Sequence, residues 1–353
     1  MSIRFGILQQ LQESLSRPYF DQVETIYNTD DISWISSNTI SYLDVYNNIL
    51  YFVNNTVSTI SYGNINLNTG IITRNSTTAN WSVLSISSQS IFKYTDGKYY
   101  AIFFPRHDSV GYKINITDMT YNTIGFTNIS GYYLTGTDKY SSCVYINGTV
   151  WGCNRRVCYL SYYDWVTNKI IITNTQAQSI KDKFALGYIT NGETIVMTPY
   201  QLTNAYVYNT STSIGSNVSS GYFRINNYNT SLSGMRFDDV DNIKRVYFKY
   251  SYDNKLMYYD FENNTFYQST INSTNYSYYL SYSNKIVGLN PSNCNWSKWN
   301  YDYNVTGSGT LSVTSGTYPG NCFNNAPKDK CYHMGIRYDN FNDRLTIINF
   351  DLL

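Results

Sequence analysis

The chain has 353 residues and a formal net charge of +1, with 14% charged, 42% hydrophobic and 17% aromatic residues. The hydrophobic fraction excludes a disordered chain. The balanced, sparse charge, with basic residues scattered apart from Arg155-Arg156, gives no electrostatic reason to expect nucleic acid, whose binding leans on clustered Lys and Arg.

The apolar content is supplied largely by 39 Tyr and 16 Phe, set among abundant Asn, Ser and Thr. Tyr, Thr, Ile and Val suit a pleated, half-buried surface, and Asn, Ser and Gly suit the turns between strands. Helix formers are scarce, with Glu only at Glu13, Glu24, Glu193 and Glu262. The composition therefore predicts an all-β fold. A surface kept soluble by Asn, Ser, Thr and Tyr changes little in charge between neutral and acidic pH, which suits an acidic exterior. A biased genome base composition produces the same residues.

In chain order, residues 3–16 are the one good helix candidate: Phe5, Leu8, Leu11 and Leu15 fall on one face, Gln residues lie opposite, and Pro18 ends the run. So short a helix needs a cover for its apolar face. We assign residues 1–29 to an N-terminal helix and docking segment. Gln9, Gln10, Gln12 and Glu13 interrupt the apolar stretch, so it does not read as a secretion signal. No stretch approaches the roughly 20 apolar residues of a membrane span.

From about residue 30 a unit recurs: a turn of Asn, Asp or Gly, a short apolar strand, a polar turn, then a Tyr-rich strand. Copies begin at Tyr46-Asn47-Asn48, Asp96-Gly97, Asn147-Gly148, Asn191-Gly192, Tyr252-Asp253-Asn254, Ser283-Asn284 and Tyr338-Asp339-Asn340. Most spacings are roughly 44–51 residues, with later ones near 30 and 60. Periods in the forties to about fifty are produced by four-stranded propeller blades. This turn–strand–Tyr pattern resembles a degenerate kelch-type β-propeller without its Gly-Gly doublets and regular Trp. The resemblance covers residues 30–353 and implies six or seven blades, seven preferred. The C-terminal Arg344–Phe350 strand is expected to pair with an N-terminal strand near 32–45 and close the ring, which removes both sheet edges. Tandem β-sandwiches are the alternative.

The segment 290–331 breaks the pattern and reads as an inserted Cys/Trp loop. Its Trp296, Trp299, Tyr301 and Tyr303 are the best candidates for a contact surface, because rings beside Asn and Ser offer flat apolar faces with polar edges. Any single Tyr on a strand is expected to serve packing. Six cysteines, Cys143, Cys153, Cys158, Cys294, Cys322 and Cys331, lack zinc-ligand spacing and read as disulfide candidates, against buried thiols.

Asn-x-Ser/Thr sequons stand at Asn54, Asn75, Asn80, Asn115, Asn128, Asn147, Asn209, Asn217, Asn229, Asn263, Asn272, Asn275, Asn295 and Asn304. This is a modest excess over what composition gives, and those on exposed turns are glycosylation candidates. Signs of catalysis are few. His107 and His333 are isolated, and no GxSxG, HExxH or phosphate-cradling loop is present. Asp238-Asp239-Val240-Asp241 lacks the spacing of a calcium loop and reads as a solvated turn. The expectation is a binding protein with no catalytic residues, no metal and no cofactor.

Abundant Tyr, Asn, Ser, Thr and Ile, four Glu, many sequons and no export signal together resemble the surface proteins of archaeal viruses of acidophilic, hot-environment hosts. The resemblance implies a virion spike, tail-fibre or capsid-decorating protein. Its N-terminal helix would dock on other virion proteins, and its propeller rim or 290–331 loop would touch a host surface protein or glycan. A secreted or cell-surface archaeal adhesion propeller and a glycan-active envelope enzyme are the other readings.

Overall fold

The computed structural model describes residues 22–353 except 36–38, 45–46, 56–58, 79–90, 106–109, 128–139, 147, 155–158, 177–183, 191–192, 200–203, 220, 222–244, 250–254, 273–277, 283–284, 291–294, 312–322, 326–332, 340–341 and 350–351. Strands β1 to β27 account for its regular structure, and no α-helix occurs among the described residues. The helix expected at 3–16, with Phe5, Leu8, Leu11 and Leu15, lies outside them.

In chain order, β1 (Glu24–Asn28) comes first and joins the last group. Then follow β2 (Ile40–Asp44), β3 (Ile49–Asn55), β4 (Thr59–Asn66) and β5 (Ile72–Thr78) as one antiparallel unit. The second unit is β6 (Ile91–Lys93), β7 (Tyr99–Phe103), β8 (Gly111–Asn115) and β9 (Thr120–Phe126). The third is β10 (Tyr140–Ile146), β11 (Thr149–Asn154), β12 (Tyr159–Asp164) and β13 (Lys169–Gln176), touching β9 through a short parallel contact. The fourth is β14 (Phe184–Thr190), β15 (Thr194–Pro199), β16 (Asn204–Asn209) and β17 (Ile214–Ser219). Three strands, β18 (Arg245–Lys249), β19 (Lys255–Asp260) and β20 (Thr265–Asn272), form the next. They precede β21 (Tyr278–Tyr282), β22 (Lys285–Leu289), β23 (Asn295–Asn300) and β24 (Val305–Thr310). The closing unit is β25 (Phe323–Asn325), β26 (His333–Asp339) and β27 (Arg344–Asn349), with β1 on the far side of β27.

Two expectations are corrected here. The C-terminal strand β27 pairs with residues 24–28, Glu24 opposite Ile348 and Asn28 opposite Arg344, and not with the segment 32–45. Ile32 and Ile35 instead turn into the core, and the Ile32 N–H is held by Asp343 Oδ1 at 3.0 Å. Residues 24–28 therefore belong to the β domain and not to a separate docking segment. Second, much of 290–331 is regular: β23 and β24 are the third and fourth strands of an ordinary unit. Burial along β23 alternates with the period of two that a strand requires, with Ser297 and Trp299 turned inward and Trp296 and Lys298 on the other face.

The core lies between units. Along β3, Leu50 and Phe52 pack toward β1 and β27, whereas Tyr51 and Val53 pack toward β6, β7 and β8. Along β7, Tyr99, Ala101 and Phe103 face β3 and β4, while Tyr100 and Ile102 face β10, β11 and β12. A strand covered on both faces reads as a continuous apolar run, and this is why Ile49-Leu50-Tyr51-Phe52-Val53 and Tyr99-Tyr100-Ala101-Ile102-Phe103 show no polar alternation. Fourth strands have one face in water, and β5, β17 and β24 are mostly exposed and built from Thr, Ser, Asn and Gly.

One turn is repeated through the fold. Asn66–Gly70, Asn115–Met119, Asp164–Asn168, Asn209–Ser213 and Asp260–Asn264 each open on Asn or Asp and close on a residue with positive φ, between 49° and 76°. The opening side chain accepts backbone N–H groups two or three residues on, as at Asp260 Oδ1 from Glu262 and Asn263, both 3.0 Å, or at Asn209 Oδ1 from Ser211 and Thr212. Asx residues mimic a backbone turn in this way, and Gly or Asn meets the left-handed requirement cheaply. Met119 and Ser213 meet it at a cost.

The residue after each such strand then ties the unit together. Leu67, Ile116 and Thr210 donate their N–H groups to the carbonyls of Asn48, Tyr99 and Glu193, each at 2.9 Å. Thr29 donates to Asp343 at the same 2.9 Å. By this bond β1, at the edge of the closing unit, is tied to the turn that precedes β27.

Candidate binding surface

Of the sequence-derived contact residues, Trp299 is buried and Trp296, Tyr301 and Tyr303 are partly buried. Trp299 is 7% exposed and packs with Tyr247, Leu256, Tyr258, Ile271 and Ile286, and Tyr301 and Tyr303 lie partly buried against the same cluster. Trp299 alternates with Lys298 on β23, and its inward position joins two neighbouring units. Arg245 completes this junction. Its Nε lies 3.3 Å from Asp260 Oδ2, and its guanidinium sits 5.0 Å from the Tyr258 ring centre and 5.4 Å from that of Tyr301. Burial pushes the Tyr247 and Tyr303 hydroxyls up to about 12. Trp296 is partly buried as well, lying over Gly309, where an added Cβ would meet its ring at 3.0 Å.

A second aromatic cluster lies between β6–β9 and β10–β13. Tyr94 stacks on Trp165 with ring centres 3.8 Å apart, and Phe92 stacks on Tyr145 at 4.1 Å. The Asp164–Asn168 turn holds Trp165 there. Asp164 accepts from the Thr167 hydroxyl at 2.5 Å and from the Val166 and Thr167 N–H groups, which together hold its carboxyl below the usual range. The Tyr163 hydroxyl donates to Asn168 Oδ1 at 2.6 Å, and the Trp165 indole N–H donates to the Gly148 carbonyl at 3.2 Å.

Lys113 of β8 reaches into this group. Its ammonium stands 5.3 Å from the Trp165 ring centre, 5.8 Å from Tyr163 and 6.0 Å from Tyr100, within cation–π range. Burial lowers its pKa. Tyr94, Lys113 and Trp165 are each half-exposed, and Val166 beside them is 93% exposed. A flat ring, a cation and an apolar tip on one patch suit a planar or ring-shaped partner bearing an acidic or polar edge. In the sequence, Trp165 follows one more Tyr-rich strand, Tyr162-Tyr163-Asp164, and nothing local to Lys113 marks it.

The remaining expectations divide by position. Cys143 is buried, with its Sγ donating to the Ile102 carbonyl at 3.0 Å. Cys158, Cys294, Cys322 and Cys331 lie outside the described residues, as does the side chain of Cys153. Two of the sequon asparagines, Asn54 and Asn115, are buried. The first is 1% exposed, with its amide held by the Thr39 hydroxyl at 2.8 Å and the Trp34 carbonyl at 2.7 Å. The second is buried against Asp118 at 2.8 Å. Asn209 caps its own turn, while Asn75, Asn217, Asn263, Asn272, Asn295 and Asn304 are exposed. Asn80, Asn128, Asn147, Asn229 and Asn275, with His107 and Asp238–Asp241, fall outside the description, as does the side chain of His333. Among the described residues no group of three His, Cys, Asp or Glu side chains is placed to hold a metal, and no helix is long and apolar enough to cross a membrane.

No family model matches the sequence, and no curated protein matches it. Solved structures do. A chain of the mitotic checkpoint complex aligns with a TM-score of 0.54 and 10% identity, over 94% of this chain and 93% of its own. The WD40 domain of Toxoplasma gondii coronin aligns with a TM-score of 0.57 and 10% identity, over 92% of this chain and 86% of its own. The dihydro-heme d1 dehydrogenase NirN in complex with DHE aligns at 0.51 and 8% identity, over 88% and 66% respectively. At such identities the likeness speaks for the fold alone, and that fold is a β-propeller.

Proposed function

We propose that the chain is a seven-bladed propeller that binds and does not catalyse, displayed on a virion as a spike, tail fibre or decoration. Its partner is a host surface protein or glycan, and residues 1–21 dock it on other virion proteins. The seven-blade reading is supported by six sheets, of which the eight-stranded one is two antiparallel groups joined edge to edge. Recognition is carried by one observation above all: the half-exposed Tyr94–Trp165 stack with the Lys113 ammonium over it and Val166 at its tip. An exterior setting is supported by the sparse charge and by fourth strands of Thr, Ser and Asn.

The test is binding of the purified chain to isolated envelopes of candidate host cells, with Trp165→Ala and Lys113→Met beside the parent protein. At least tenfold weaker binding by both variants, with unchanged circular dichroism, is expected. Equal binding would remove the patch from the reading. Mass spectrometry of purified particles addresses the setting: the protein should be found in virions, and detection only in cell envelopes would point to a cellular adhesion propeller. Hydrolysis of envelope polysaccharide by the purified chain, abolished by replacing one Asp or Glu, would overturn the non-catalytic reading.

A further inference from the structure

We infer that Asn217 and Asn304 are N-glycan acceptors, and that the sequon asparagines Asn54, Asn115 and Asn209 are structural residues that carry no glycan. Occupancy in the native protein rests on the exterior setting proposed above; the choice between sites rests on geometry alone.

A sequon needs both its amide and the hydroxyl two residues later to be reachable. On a strand, residues i and i+2 point to the same face, so one exposed face presents both groups together. Asn217 and Ser219 on β17 are both exposed, with Val218 between them turned into the core. At the entry to β24, Asn304 and Thr306 are both exposed, the Thr306 hydroxyl making one long, solvent-exposed bond to the Lys298 carbonyl at 3.3 Å, and neighbouring Val305 is exposed as well. Both sequons belong to fourth strands, the outermost of their units, in two different sheets. Sugars there would stand on the circumference, away from the Tyr94–Trp165 patch.

Five other sequons among the described residues fail on one group or the other. Asn54 and Asn115 have buried, bonded amides. Asn209 spends its carbonyl oxygen on the N–H groups of Ser211 and Thr212 and on the Thr212 hydroxyl. At Asn75 and Asn295 the asparagine is exposed, but the hydroxyl residue, Thr77 or Ser297, is buried.

The experiment expresses the full chain behind an export signal in an N-glycosylating host. The folded, monodisperse fraction is treated with an N-glycosidase in ¹⁸O water, and peptides are mapped. Label is expected at Asn217 and Asn304 and absent from Asn54, Asn115 and Asn209. Asn217→Gln and Asn304→Gln should each remove one glycan's mass without changing the melting temperature, whereas Asn54→Gln should lower the melting temperature with the mass unaltered. Label at Asn54 or Asn115 in the folded fraction, or none at both Asn217 and Asn304, would overturn the assignment. If the recombinant pattern holds and protein from its native source carries no glycan, the site assignment stands and the exterior setting falls.

Discussion

Thr29 gives both its N–H, at 2.9 Å, and its hydroxyl, at 3.0 Å, to the carbonyl of Asp343, a residue 314 positions away. Thr210 makes the same double donation to Glu193 across 17 positions, at 2.9 and 2.7 Å. The junction of the two ends is thus built from the same part that closes an internal unit. Replacing Thr29 with Val should destabilise the fold by about 1 kcal/mol, the usual worth of one such hydrogen bond. Thr210→Val should cost a similar amount. Urea midpoints of the two variants check this, and no shift for Thr29→Val would show that the hydroxyl bond contributes nothing to closure.

The turn Asn209–Ser213 offers a gain. Ser213 is exposed and holds φ at 58°, a region costing a residue with a side chain roughly 1–2 kcal/mol. Ser213→Gly should relieve part of that and raise stability by about 0.5 kcal/mol once the flexibility of glycine in the unfolded chain is subtracted. At Asn168, φ 54°, the same change should be unfavourable, because it also removes the oxygen that holds the Tyr163 hydroxyl. A common sign for both substitutions in thermal melts would contradict this account.

Trp299 and Trp296 separate packing from surface. Trp299→Ala should cost about 3–5 kcal/mol, as expected for a large ring removed from a core. Trp296→Ala should cost less than half of that, because part of its ring already meets water. Equal losses in chemical denaturation would place both rings in one core.

Buried tyrosines set the alkaline limit. An unfolded phenol ionises near pH 10, while burial raises Tyr247 and Tyr303 to about 12 and pushes Tyr99, Tyr140, Tyr163 and Tyr259 upward as well. A raised folded pKa means that the stabilisation is fully present below about pH 10 and is lost as pH rises through the folded values. Denaturation midpoints should therefore hold to about pH 10 and fall steeply by pH 11.5, with tyrosinate absorbance appearing together with unfolding. A flat midpoint across that range would count against it.

Much of the fold was legible because its physics is local. The Asn, Asp and Gly turns and the two-sided apolar runs at Ile49–Val53 and Tyr99–Phe103 each carry their reason within a few residues. The ring partner of β27 was misplaced because Ile32 and Ile35 look like strand residues, and only contact with the other end of the chain makes them core. The Cys/Trp segment misled for a related reason. Cysteine and tryptophan suggest an insertion, yet Trp299 alternates into the core as Tyr258 does on β19. Lys113 could not be found from sequence, since its three rings come from β7, β12 and the turn after β12.

The pairing of β1 with β27 also sets a clock for biosynthesis. At roughly 5–20 residues per second, the ribosome needs about 16–60 s to pass from Thr29 to Asp343 across their 314-residue separation. For that interval Ile26 and Tyr27 have left the ribosome while their partners Thr346 and Leu345 do not yet exist. The nascent chain must keep the β1 strand and its Tyr27 unpaired for most of its own synthesis, so its yield in cells should depend on holdase chaperones and fall when elongation is slowed.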